Sequence, residues 1–225
     1  MMRVFIGVDP RQPLGYNVLQ NSIHRHSKER VIVEPLMLRK LPITRRGLTE
    51  FTYSRYLVPW LCGYEGVAVF MDADIVVTGD IGELFAQADG QSAVQVNKDQ
   101  PKFEWSSVMM FNNANCRALT PENVDDPENK IHTLDWGAGG TFFRDWNHCV
   151  NKIAPEEAKL YHYTEGVPAW EEVQGSPLDV HWFEARDNMN HTVPWRELMG
   201  GSVHAEPVIR RFMARKFGVD LQPRG

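Results

Sequence analysis

The sequence predicts an α/β protein, with a mixed, mainly parallel sheet flanked by helices. Three observations lead there. Val4–Val8 and Val67–Met71 are apolar without alternation, which fits strands covered on both faces. The first run is followed by a loop punctuated by Pro10, Pro13 and Gly15 and then by a helical pattern, the usual opening of a nucleotide-binding α/β unit. The second run ends in Asp72 and Asp74, and open α/β sheets gather ligands at the carboxyl ends of their strands.

In chain order, a helix is expected from Tyr16 to His26, with Tyr16, Leu19 and Ile23 on one face. Val31–Val33 reads as a short strand. Arg39, Lys40, Arg45 and Arg46 follow in a loop, which is either solvated or in contact with a phosphorylated ligand. Tyr53, Tyr56, Leu57, Trp60 and Leu61 repeat at helical spacing, so Phe51–Leu61 is read as a helix that Pro59 kinks or ends, with Arg55 off its apolar stripe. After the central strand, Asp80 can cap a helix and Glu83 can close a capping box; Ile81, Leu84, Phe85 and Ala88 form that helix's apolar face. Ala93–Val96 is read as a further strand, and Trp105–Phe111 is another apolar run, closed by Asn112-Asn113. Thr120-Pro121 begins a helix, 125–130 is a polar loop, and Lys159–Trp170 is a short strand running into a loop.

A chain of 225 residues can bury one good core or two tightly joined halves. Its net charge of −5 disfavours nucleic acid as a partner. Three widely spaced cysteines, Cys62, Cys116 and Cys149, argue against a disulfide scaffold and for a reducing, cytoplasmic setting. No leader and no membrane-length apolar stretch is read. The tail places Ile209, Phe212, Met213 and Phe217 among Arg210, Arg211, Arg215 and Lys216. Such a basic amphipathic helix either packs on its own domain or meets a membrane surface or an acidic partner.

Two carboxylates one residue apart, set between apolar runs, are hard oxygen donors suited to Mg²⁺ or Mn²⁺. If the chain were still extended there, both would share a face and repel unless a cation lay between them. The plainer alternative is an acidic pair that is solvated or caps a turn. No glycine-rich phosphate loop follows the first strand.

The run Tyr53-Ser-Arg55-Tyr-Leu-Val-Pro-Trp60, followed by the strand, Asp72-Ala73-Asp74 and then Gly79-Asp80 before a helix, resembles the family-8 glycosyltransferases and their relatives, nucleotide-sugar enzymes of the GT-A (Rossmann-like) fold. The resemblance spans roughly residues 1–175 and is concentrated in 49–86. It implies that Asp72 and Asp74 hold the metal and that Arg55 contacts the donor. His162 resembles the third metal ligand, which in the family opens a His-x-x-Gly-x-x-Lys-Pro-Trp motif. Here Gly166 comes one residue late, Trp170 is present and the lysine is absent, so the family's phosphate contact at that end is not carried over. Gly7, Val8, Asp9 and Tyr16 stand where the family holds base and ribose, and Gly166 and Trp170 complete the expected donor site. Trp105-Ser106-Ser107 stands where the family has Asn-Ser-Gly, and Asp135-Trp136 lies near the place of its Asp-Gln-Asp.

The resemblance therefore implies a cytoplasmic glycosyltransferase that uses Mn²⁺ or Mg²⁺ and a nucleotide sugar, a UDP-sugar first, with retention at the anomeric carbon. Asp135 is the candidate for the chemical step beside Arg55, with Glu165 and Asn112 as further candidates. One GT-A-like domain is expected over 1–205, with a nucleotide-binding half at 1–100 and an acceptor half at 101–205; the tail occupies 206–225. The acceptor is unassigned, and a second subunit or another partner is expected to share in binding it. The rival readings are a sugar nucleotidyltransferase and a nucleotide- or sugar-binding protein that has lost its chemistry.

Overall fold

In the computed structural model, β1 (Met2–Gly7) leads into α1 (Pro13–His26), whose Leu19 and Ile23 are fully buried. β2 (Val31–Leu36) outruns its expected length because the chain stays extended through Glu34 and Pro35. Proline cannot donate to a ladder; it is tolerated because β2 is an edge strand. The expected helix over Phe51–Leu61 forms in two pieces, a 3-10 turn at Ser54–Leu57 and α2 (Val58–Leu61). The break falls ahead of Pro59, which sits in the first turn of α2, where a missing N–H costs nothing.

β3 (Val67–Met71) and β4 (Ile75–Val77) are separated by a tight turn at Asp72–Asp74, so the acidic pair does not lie on extended chain. α3 (Ile81–Phe85) is capped by Asp80, whose Oδ1 accepts from the Gly82 N–H at 3.1 Å. Glu83 does not reach back as expected; it pairs with Lys159 Nζ at 2.5 Å. β5 (Val94–Gln95) precedes a 3-10 turn at Lys102–Ser107 and β6 (Val108–Asn112), so Trp105-Ser106-Ser107 belongs to the turn and not to the strand. Thr120 caps α4 (Pro121–Asp125). β7 (His148–Cys149), β8 (Leu160–His162) and α5 (Asp179–His191) follow.

Five strands form the main sheet in the order β2-β1-β3-β6-β5. β2, β1 and β3 are mutually parallel, β6 runs against β3, and β5 runs against β6. Four of the five therefore point one way. β3 is central, and both its faces are covered. Ala68 and Phe70 enter one apolar cluster with Phe5, Leu57 and Phe111. Val69 and Met71 enter another with Val4, Ile6, Leu19 and Ile23. Each fully buried side chain of this kind contributes about 1.5–3 kcal/mol, so the central strand is held from both sides. A second sheet, β4-β8-β7, carries the chain on from the acidic turn.

Of the basic loop, Arg45 is half-buried and engaged by the protein. Its guanidinium donates to the carbonyls of Val124, Asp126, Pro127 and Asn129 and stacks on Tyr53 at 3.9 Å. It clamps the end of α4 to the first half of the chain.

The structure describes residues 1–10, 13–99, 101–137, 145–150 and 158–191, with 214 and 218. It divides into two compact units, Met1–Ala185 and Arg186–Gly225. The second is described over 186–191 and at Ala214 and Gly218; the rest of the tail expected at 206–225 lies outside the described residues. Among the described residues no helix is long and apolar enough to cross a membrane.

Candidate active site

Asp72, Asp74 and His162 come together at the carboxyl end of β3. Their ligand atoms, two carboxylate oxygens and one imidazole nitrogen, lie within 4.8 Å of one another. Backbone ladders set this meeting. The Asp72 N–H donates to the Ser107 carbonyl at 2.9 Å. Ile75 is the register partner of His162, and the Tyr163 N–H donates to the Asp74 carbonyl at 2.9 Å. His162 Nε2 stands 3.2 Å from Asp74 Oδ1, and its ring is 2% exposed.

Arg55 is buried against the same group. Its Nη2 lies 3.1 Å from Asp72 Oδ1, Nη1 donates to the Ser106 carbonyl at 2.6 Å, and Nε donates to the Phe51 carbonyl at 3.1 Å. All three guanidinium nitrogens are thus engaged by protein. Burial, and then the neighbouring charge of Asp74, push the Asp72 carboxyl up to about 6, against the pull of Arg55, His162 and the Ser107 hydrogen bond. Burial works to lower the His162 pKa, but the Asp74 carboxylate, its hydrogen bond, Cys149 and Asp72 hold it well above the ordinary histidine value.

Asp72 Oδ1 and Asp74 Oδ1 are buried and make no hydrogen bond of good geometry. Arg55 stands 3.1 Å from the first and His162 3.2 Å from the second. Two buried oxygens and an imidazole nitrogen, converging within 4.8 Å, form a set that fits a divalent cation of the Mn²⁺ or Mg²⁺ kind in place of the His162 proton.

A cavity of about 300 Å³ opens beside this set. Asp9, Ala73, Asp74, Gly166 and Trp170, all picked out in the sequence, line it. So do Gly15, Thr49 and Phe51, which were not. Gly166 has φ +126°, and a Cβ there would lie 2.9 Å from Trp170 Cε3, so glycine lets the indole fold over the cavity wall. At Gly15 a Cβ would lie 2.6 Å from the Ala73 carbonyl oxygen; the missing side chain lets α1 touch the acidic turn. Gly15→Ala is expected to push that turn aside, at a cost of about 1–3 kcal/mol, with weaker metal binding. Thermal melts with and without Mn²⁺ check this; an unchanged melt in both would refute it.

The other sequence-picked residues lie elsewhere. Gly7 and Val8 do not line the cavity: Gly7 packs under the Phe51 ring, and Val8 donates to the Leu36 carbonyl at 3.1 Å. Tyr16 packs on the apolar cluster beneath the sheet. Arg55 is not in the cavity wall. Asp135 is exposed, and its neighbour Trp136 packs on Tyr56 and Phe111; Phe111 pairs with Ala68, toward the amino end of β3. Asn112 pairs with Val67, at the end of β3 remote from Asp72, and its amide donates to the Gly90 carbonyl at 3.0 Å. Glu165 is exposed on the loop after β8.

No protein-family model matches the chain. Its architecture is the GT-A fold of glycosyltransferases. It resembles the bifunctional glycosyltransferase WbbM in its apo form, with TM-score 0.63 and 17% identity over 86% of this chain and 50% of that one. It also resembles apo GlyE of Streptococcus pneumoniae TIGR4, with TM-score 0.62 and 17% identity over 82% of this chain and 60% of that one. The chain therefore spans less than two thirds of either. Over nearly the whole of its length, 99%, the galactosyltransferase LgtC in complex with donor and acceptor sugar analogues aligns with 87% of this chain, at TM-score 0.58 and 12% identity. In sequence the chain is similar to Protein CDI of Arabidopsis thaliana, 29% identical over an alignment that covers 84% of this chain and 88% of that one.

Proposed function

We propose that the protein is a glycosyltransferase that moves a sugar from a nucleotide sugar, a UDP-sugar, to an acceptor hydroxyl, with retention and with Mn²⁺ or Mg²⁺ held by Asp72, Asp74 and His162. The observation that carries this reading is the convergence of the two buried aspartate oxygens on His162 Nε2, beside a cavity on a GT-A fold. When bound, a divalent cation would neutralise the charge that builds on a departing diphosphate.

The chain's own residues do the rest. Asp72 and Asp74 fix the centre of charge at the strand end, and Arg55 keeps Asp72 ionised and pointed. Trp170, 36% exposed over the cavity, offers a flat apolar face to a base or sugar, and Thr49 and Asp9 offer oxygens to hydroxyl or N–H groups. LgtC, crystallised with donor and acceptor sugar analogues, supports a nucleotide-sugar donor and a separate acceptor here.

Calorimetric titration of UDP, GDP, CDP and ADP, each with and without Mn²⁺, tests the reading. UDP is expected to bind only with the metal, and a panel of UDP-sugars then identifies the donor by its turnover. No metal-dependent binding of any diphosphate would sink the mechanism. Binding of UDP and Mn²⁺ without turnover of any donor would leave a binding protein.

Metal affinity should also depend on pH. A cation at Nε2 displaces the proton that His162 otherwise holds, so affinity should rise about tenfold per pH unit near neutrality. Below about 6, Asp72 must lose its proton too, and the slope should steepen toward two protons per ion. Mn²⁺ titrations from acid to mildly alkaline pH would show this; a flat profile would contradict it.

A further inference from the structure

Behind His162, on the side away from Asp74, lies Asn147, a residue with no exposed surface. The direction of its amide can be deduced. Nδ2 lies 2.9 Å from the Glu104 backbone carbonyl, which can only accept, so the NH₂ group points there. Oδ1 is then the end that faces His162 Nδ1, at 3.0 Å. An amide oxygen can only accept, so Nδ1 must be the donor. The carboxylate of Glu104 is not a substitute, because Oε2 lies 3.8 Å from Nδ1, beyond hydrogen-bond reach.

We propose that Asn147 is a positioning residue for the metal centre: it holds the His162 ring with its hydrogen on Nδ1, so that the Nε2 lone pair is turned to the cation between Asp72 and Asp74. This rests on the metal reading of that site. A histidine ligand oriented through its other nitrogen binds more tightly than one left to choose its tautomer.

The backbone is built for the task. Asn147 has φ +80°, in the left-handed region that asparagine tolerates better than most side chains. Trp146 before it is fully buried, and its carbonyl accepts from Asn97 Nδ2 at 2.7 Å. Just after it, β7 pairs in register with β8, Cys149 opposite His162, and the Val150 N–H donates to the His162 carbonyl at 2.8 Å. Asn147 and His162 are thereby held at a fixed spacing by a ladder.

The test compares Asn147→Gly with Asn147→Asp. Glycine accepts the positive φ but removes the acceptor; aspartate keeps an acceptor oxygen toward Nδ1 and gives up the bond to the Glu104 carbonyl, at a cost in stability and not in the ring's orientation. Mn²⁺ binding is measured by calorimetry well below each variant's melting temperature. Asn147→Gly is expected to bind Mn²⁺ about 10- to 100-fold more weakly, and Asn147→Asp to keep the wild-type affinity. A merely structural role would lower both melting temperatures and leave the affinity of the folded proteins alone; wild-type affinity in a folded Asn147→Gly overturns the proposal. If that variant does not fold, ¹⁵N spectra of the wild-type His162 ring with Mg²⁺ decide: a hydrogen on Nδ1 supports the proposal and one on Nε2 overturns it. Absence of Mn²⁺ binding by the wild type would instead overturn the metal reading itself.

Discussion

Asp74→Ala is expected to abolish metal-dependent diphosphate binding and to cut transfer by at least about 10²–10³-fold, the loss typical when one preorganised charge-stabilising group is removed. In the metal-free protein two effects oppose: removal of Asp74 relieves its repulsion of Asp72 but takes from buried His162 its nearest carboxylate, so the variant's own metal-free melt is the baseline. Wild type with Mn²⁺ at a hundred times its Kd gains about 2.7 kcal/mol, which for a chain of this size raises the melting temperature by roughly 5–10 °C. Asp74→Ala should show no rise with metal above its own metal-free melting temperature. A rise of wild-type size in the variant would show that the ion sits elsewhere.

Arg55→Leu should have the largest effect on stability. It strips a buried carboxylate of its charge partner and leaves the carbonyls of Phe51 and Ser106 without their donor. Breaking a buried pair from one side costs about 3–5 kcal/mol. The same substitution should weaken metal binding with a definite sign. Arg55 opposes the burial that already lifts Asp72 to about 6; without it the carboxyl moves higher still and is protonated at neutral pH. Mn²⁺ must then displace that proton, so the affinity deficit should be large near pH 6.5 and shrink as the pH is raised. Denaturant melts and Mn²⁺ titrations at two pH values would check both halves. A deficit independent of pH would mean that Arg55 acts on the metal by some other route. Arg55 is engaged by Asp72, Phe51 and Ser106, and the proposed role that these two measurements test is to keep Asp72 charged.

The parts legible in the sequence were those with a long period or a dense motif. Val67–Met71 announced itself because a buried central strand needs apolar residues on both faces, and Asp72 and Asp74 stood out against it. Thr120-Pro121 was legible because a cap and an N-terminal proline are local chemistry. The second sheet was not, since strands of two or three residues carry no period. Pro35 shortened the reading of β2 because only the strand order reveals it as an edge. Arg45 looked like surface charge because its carbonyl partners lie far along the chain. Asn147 carried no signal at all: one asparagine among aromatic residues says nothing until His162 is seen in front of it. Gly15 was read as loop punctuation, and its contact with Ala73 is a fact of packing.

The single rung that joins Ile75 to His162 has a consequence for how the protein can diversify. The spacing of Asp74 and His162 is set by this rung and by the Tyr163 N–H bond to the Asp74 carbonyl, and not by the length of chain that leaves β4 and returns as β8. Loops of that stretch other than those carrying Ser106, Ser107 and Asn147 can lengthen, shorten or change composition without altering this spacing. Descendants of such a protein are free to rewrite those loops while inheriting the Asp74–His162 spacing unchanged.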